Sequence, residues 1–204
     1  MLASSTIIEN VDSMRRSGPA SLAFFYCDFR EDEKKDLRGL LSSVLVQLCH
    51  QSDSYNRILS SFYSEHADGS RHPSDDALVR CSKDILRVSG QAPVYLIVDG
   101  LDECSNTSAM PSPREKVLKF LEDLIDLRLP NLRICVTSRP EIDIKRVLEP
   151  LNFHSISLHD ESGQIEDIEK YIRSVVNTDP KMERWTPADR ELVIDVLIKK
   201  SDGM

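Results

Sequence analysis

Residues 94–104 read VYLIVDGLDEC: five apolar residues without a break, then three carboxylates within five positions. An unbroken apolar run of this length is the signature of a strand buried on both faces. A strand with one solvated face would alternate polar and apolar side chains instead. Buried strands of this kind are typical of parallel sheets whose faces are covered by helices, which points to the α/β class.

The rest of the chain fits that class. SLAFFYCDF (21–29), NLRICVTSRP (131–140, stopped by Pro140) and FHSISL (153–158) read as further strands. A helix is predicted over 2–16, with Ile7, Ile8, Val11 and Met14 on one face. Leu37, Leu40, Leu41, Val44, Leu45 and Leu48 keep the i, i+3, i+4, i+7 spacing of an amphipathic helix. Helices over 53–66 and 74–89 are divided by ADGSRHP, and another runs through Val117, Phe120, Leu121, Leu124 and Ile125. A short helix over 141–149 and two more over 162–177 and 187–201 complete the pattern. The alternation predicts a parallel sheet with helices on both faces over residues 1–160 and a helical extension over 161–204.

Charge and cysteine usage narrow the partners. A net charge of −8 argues against non-specific binding to nucleic acid or an anionic membrane, where Lys and Arg must replace counterions. The apolar runs fall far short of the ~20 residues a membrane helix needs. Glu9 and Asp12 interrupt the stretch where a secretory signal would be apolar, which points to a cytoplasmic chain. The five cysteines form no C-x-x-C pair and read as buried free thiols of a reducing compartment.

In open parallel sheets ligands bind at the carboxyl ends of the strands. Asp99 is the first polar residue after its strand, where a carboxylate can hold a hydrated Mg²⁺, and Gly100 leaves the adjacent space free of a side chain. Asp102 and Glu103 can orient or deprotonate an attacking water. Thr137 and Ser138 can donate to a phosphate or a water, and Arg139 supplies a planar cation for a phosphate oxygen. Taken singly, each also has a plain structural role, since acids after a strand often cap the next helix. Asp28 is read as such a cap, and Trp185 as an anchor packing its linker. A metal-dependent nuclease or phosphatase built on Asp99, Asp102 and Glu103 is a weaker alternative, because the other strand ends offer mainly Asp28 and Arg139.

LAFFYCDFRE, the leucine-rich helix LRGLLSSVLVQLCH, VYLIVDGLDEC and LRICVTSRPE together resemble the NACHT group of signal-transduction P-loop NTPases (the STAND class). The form they resemble is that of fungal proteins with a nephrocystin-type N-terminal domain. The resemblance covers nearly the whole chain. It implies that DGLDE is a Walker B motif, with Asp99 the Mg²⁺-linked carboxylate, Asp102 and Glu103 the hydrolytic acids and Arg139 a sensor. It further implies Mg²⁺ and ATP as cofactors of a complete domain, and an oligomerising switch that works through protein partners and self-association.

A phosphate loop needs G-x-x-x-x-G-K-[ST], because successive backbone N–H groups and one lysine cradle the phosphates. None of the seven glycines is followed by lysine. By the resemblance, Met1 falls just past the loop, so the chain is expected to be a fragment without the first, central strand of the order 2-3-1-4-5. That leaves the strands at 93–98 and 131–137 to flank an empty slot, to close together, or to recruit a strand from another chain. Little or no ATP affinity is expected for these 204 residues. The rival reading is a non-catalytic protein-interaction domain with a vestigial nucleotide site.

Overall fold

The computed structural model describes residues 2–151, 154–156, 162–182 and 184–201. Strands β1 (Ser21–Tyr26), β2 (Val94–Asp99) and β3 (Leu132–Val136) form one parallel sheet in the order β1-β2-β3. Ser21 stands opposite Val94 and Tyr26 opposite Asp99, while Val94 is paired with Leu132 and Val98 with Val136. The described residues also include eight α-helices: α1 (Leu2–Ser17), α2 (Leu37–Cys49), α3 (Asp53–Glu65), α4 (Asp75–Leu86), α5 (Pro113–Asp126), α6 (Ile142–Leu148), α7 (Ser162–Thr178) and α8 (Pro187–Ser201). The chain divides into two compact units, residues 1–153 and 154–204.

Within the first unit, the period of two along each strand separates two cores. Ala23 and Phe25 of β1, and Leu96 and Val98 of β2, join the larger core with the apolar faces of α2, α4 and α5. Leu22 and Ile97, with half-buried Phe24, Tyr95 and Cys135, point the other way and meet Ile8 and Val11 of α1. Helices therefore lie on both faces, as the unbroken apolar runs require.

The helix starts follow local chemistry. Asp36 accepts from the Gly39 N–H at 2.9 Å and Ser74 from the Ala77 N–H at 3.2 Å. Ser112 and Glu115 form a reciprocal capping box in front of α5, with Pro113 in its first turn. Each cap satisfies a backbone donor that the helix itself leaves unpaired.

Two expectations are overturned, and one left open is decided. The first strand stops at Tyr26 rather than at residue 29, because Cys27 and Asp28 turn the chain toward a short 3-10 segment, Asp32–Lys34. The slot implied between β2 and β3 is closed by direct pairing, which satisfies backbone groups that an empty slot would strand. Of the strand expected over 153–158, residues 154–156 carry no regular secondary structure, and 153, 157 and 158 lie outside the described residues.

In the second unit, the described residues include one buried apolar side chain on α7, Val176, and one on α8, Ile194. Arg173 of α7 bonds Glu191 of α8 at 3.0 Å. Trp185, expected as a packed anchor, is instead 43% exposed, beside Leu192 and Val193 of α8 at the surface.

Candidate functional site

Asp99 is the last residue of β2 and is buried, at 6% exposure. The ladder between β2 and β3 runs on past the strands: Thr137 N–H donates to the Val98 carbonyl at 2.9 Å, and Leu101 N–H donates to the Thr137 carbonyl at 2.9 Å. This continued pairing sets the Thr137 hydroxyl against Asp99. The hydroxyl donates to Asp99 Oδ1 and accepts from the Gly100 N–H at 3.0 Å. Among the described residues no cation pairs with the Asp99 carboxylate.

Gly100 sits at φ +69°, in the left-handed region. A methyl group there would meet the Cys27 carbonyl oxygen at 3.5 Å and the Glu103 side chain at 3.9 Å, which is ordinary contact. The glycine is therefore required by the backbone turn and not, as the sequence suggested, by the space beside Asp99. That turn leads into a 3-10 segment, Leu101–Glu103, anchored by fully buried Leu101.

Asp102 is held against the end of β3. Its Oδ1 accepts from the Arg139 N–H at 3.0 Å, and the Arg139 Nε lies 3.5 Å from Oδ2. Glu103 makes no side-chain hydrogen bond among the described residues, and its charge acts on Arg30 and Cys27 across the turn. The Ser138 hydroxyl is spent on the carbonyl of the next residue at 2.7 Å. The structure thus joins Asp99 with Thr137 and Asp102 with Arg139, and leaves Glu103 and Ser138 outside these pairs.

One residue that holds the site escaped the sequence reading. Arg114, in the first turn of α5, is 8% exposed. Its Nη2 donates to the Asp102 carbonyl and its Nε to the Cys104 carbonyl, the latter at 3.2 Å. Its Nη1 pairs with Asp143 of α6 at 3.2 Å. Nothing in the local pattern marks it, because an arginine near a helix start is usually solvated.

At the end of β1, Asp28 accepts from the Arg30 N–H at 2.9 Å and from the Arg30 guanidinium. This is a loop brace rather than a helix cap. The hydrogen bonds from Arg30 hold the Asp28 carboxyl down to about 2. The thiol of Cys27 is pushed strongly up, first by its contact with Cys104, then by burial and by the charges of Asp99 and Glu103.

Among the described residues no three His, Cys, Asp or Glu side chains converge into a metal-holding group. The donor set is one buried carboxylate with a hydroxyl beside it. That suits Mg²⁺, which keeps several waters and takes only one or two carboxylates from protein, and does not suit a Zn²⁺ or Ca²⁺ cage. A cavity of about 450 Å³ lies elsewhere, between α2 and α3, against Val46, Cys49, His50 and Leu59.

No helix among the described residues is long and apolar enough to cross a membrane. No curated protein and no solved structure matches the chain. Residues 1–139, which carry α1, the three described strands and both strand-end pairs, match the family model described as nephrocystin 3, N-terminal. By that match the chain belongs to the nephrocystin 3 N-terminal domain family.

Proposed function

We propose that this chain is the Walker B half of a NACHT-type P-loop NTPase module, whose complete form binds Mg-ATP and switches by self-association with protein partners. The observation that supports this reading is Asp99. The carboxylate is buried and has one hydroxyl donor and, among the described residues, no cation, and a metal ion is one partner that buried carboxylates take. Asp99 would face the metal once a central strand parts β2 from β3, a change that gives up the contacts of Thr137 with Asp99 and of Arg139 with Asp102. Asp102 and Glu103 would then be the acids able to orient a water or take a proton from it.

The phosphate side is missing. The 204 residues contain no G-x-x-x-x-G-K-[ST], so they offer no run of N–H groups and no lysine to cradle a triphosphate. The same absence supports the second reading, an interaction domain with a vestigial site. Titration calorimetry separates the outcomes. Mg-ATP is expected to give no micromolar binding to the chain alone. Grafting a strand and glycine-lysine loop ahead of α1 is expected to create binding that Asp99→Asn weakens at least tenfold. A folded graft that still ignores nucleotide would leave the interaction-domain reading standing. Micromolar binding to the ungrafted chain would overturn the incomplete-site account.

A further inference from the structure

Two thiols meet beside the acidic turn. Cys27 follows β1 and Cys104 closes the 3-10 segment, and their sulfurs lie 3.3 Å apart although 77 positions separate them. They are 6% and 1% exposed, and both are free. The contact is set by backbone, not by two flexible side chains finding each other. The Cys27 N–H donates to the Asp99 carbonyl at 2.9 Å, and the Cys104 N–H donates to the Leu101 carbonyl at 3.2 Å. Arg114 grips the Cys104 carbonyl from the other side.

A thiol–thiol hydrogen bond is weak, and two small apolar residues would fill the same space. What sulfur alone permits here is a covalent bond, which needs the atoms to close to ~2.05 Å. The remaining cysteines do not share this geometry: the Cys49 thiol, for example, donates to the Tyr55 carbonyl at 3.5 Å.

We propose that Cys27 and Cys104 are a reversible redox site, oxidised by a small disulfide of the glutathione class to an intramolecular bond that staples the end of β1 to the turn carrying Asp102 and Glu103. The exchange balances in two steps. Once the turn opens and removes the Cys104 contact and the burial that hold its thiol protonated, Cys27, the more exposed of the two, loses its proton and attacks the small disulfide, forming a mixed disulfide and releasing one thiol that takes the proton. Cys104 then attacks the Cys27 sulfur and releases the second thiol. The two cysteines lose two electrons and two protons, and the small disulfide gains both. Burial makes the first step wait for the turn to open, so the site responds slowly. Disulfides of this kind in reducing compartments are typically transient and redox-sensing. The inference stands apart from the nucleotide reading.

The full chain equilibrated in glutathione buffers of stepped potential, alkylated and peptide-mapped without reduction, tests it. The expected product is a peptide joining Cys27 to Cys104, about 2 Da lighter than its two parts. It should form in the folded chain in preference to every other pairing, with Cys49, Cys81 and Cys135 still alkylated. Dithiothreitol should reverse it. The oxidised chain should melt several degrees higher, because the closed loop restricts the unfolded state. Cys104→Ser should abolish the peptide, with Cys27→Ala as the second variant if the first fails to fold. Thiols that stay alkylatable in the most oxidising buffer would overturn the proposal. So would a pairing scrambled among the five cysteines, or a linked peptide that forms as readily in guanidinium.

Discussion

The side-chain amide of Gln51 pairs with the peptide of Leu22 as a neighbouring strand would. The Leu22 N–H donates to Gln51 Oε1 at 2.9 Å, and Gln51 Nε2 donates to the Leu22 carbonyl at 2.6 Å. Two residues along β1, Gln47 repeats the arrangement on Phe24, at 3.0 and 2.7 Å. Gln47 in the last turn of α2 and Gln51 just past its end satisfy the outer edge of β1, which would otherwise be a template for pairing with another chain.

Replacing Gln47 with Leu should therefore cost about 1–3 kcal/mol in urea unfolding, since it strands one backbone donor and one acceptor. The double variant Gln47→Leu, Gln51→Leu should also associate with rising concentration, seen by light scattering. A double variant that stays monomeric at unchanged stability would show that water covers this edge equally well.

Gly39 lies in the first turn of α2, where Gly→Ala ordinarily gains up to about 1 kcal/mol from helix propensity. Here the sign should reverse. A methyl group would stand 1.8 Å from the Glu33 carbonyl oxygen, a backbone atom that cannot rotate away. Gly39→Ala should destabilise by about 1–3 kcal/mol, the usual cost of overpacking. A raised melting temperature would mean that the 3-10 segment before α2 moves freely.

Arg114 supplies the bonds that hold the acidic turn. Arg114→Met keeps the stem but strands the carbonyls of Asp102 and Cys104 and leaves Asp143 alone, for a loss of about 2–3 kcal/mol. Hydrogen exchange at Glu103 and Cys104 should quicken more than exchange in β1. Uniform quickening would mean that Arg114 supports the whole unit and not this turn.

Asp28 carries a pH signature. Its folded value of about 2 lies below the ~3.9 of an unfolded aspartate. A depressed folded value means that the contact stabilises fully above the unfolded value, and that this is lost as pH falls from about 4 to about 2. Carbon NMR should place the Asp28 carboxyl midpoint near 2, and Arg30→Gln should return it toward ~4. A wild-type midpoint near 4 would mean that the Arg30 contact does not persist in solution.

The α/β class, the helix faces and the strand-end placement of Asp99, Asp102, Thr137 and Arg139 were legible because they depend on local periodicity. A run such as VYLIV needs cover on both sides wherever it lies, and the first polar residue after it must sit at a strand end. The leucines of α2 announce a buried face for the same reason. Strand 21–29 was read too long because apolar character continues through Cys27 and Phe29, whereas backbone pairing with β2 ends at Asp99.

Pairing and side-chain contact across long sequence separations were not legible. Which strand lies beside β2 is a choice among backbone partners that look alike, and local pattern carries no record of it. Gln47 and Gln51 look like ordinary polar residues beside an apolar stripe, Arg114 like a solvated helix start, and Cys27 and Cys104 like unrelated buried thiols. By itself the sequence determined what must be buried and what must stand at strand ends, because the hydrophobic effect acts on each segment separately. Only the tertiary structure decided the closure of β2 on β3, the glutamine edge, the arginine clamp and the thiol contact. Each of these is a directional contact between residues far apart in sequence, made only after the segments have packed.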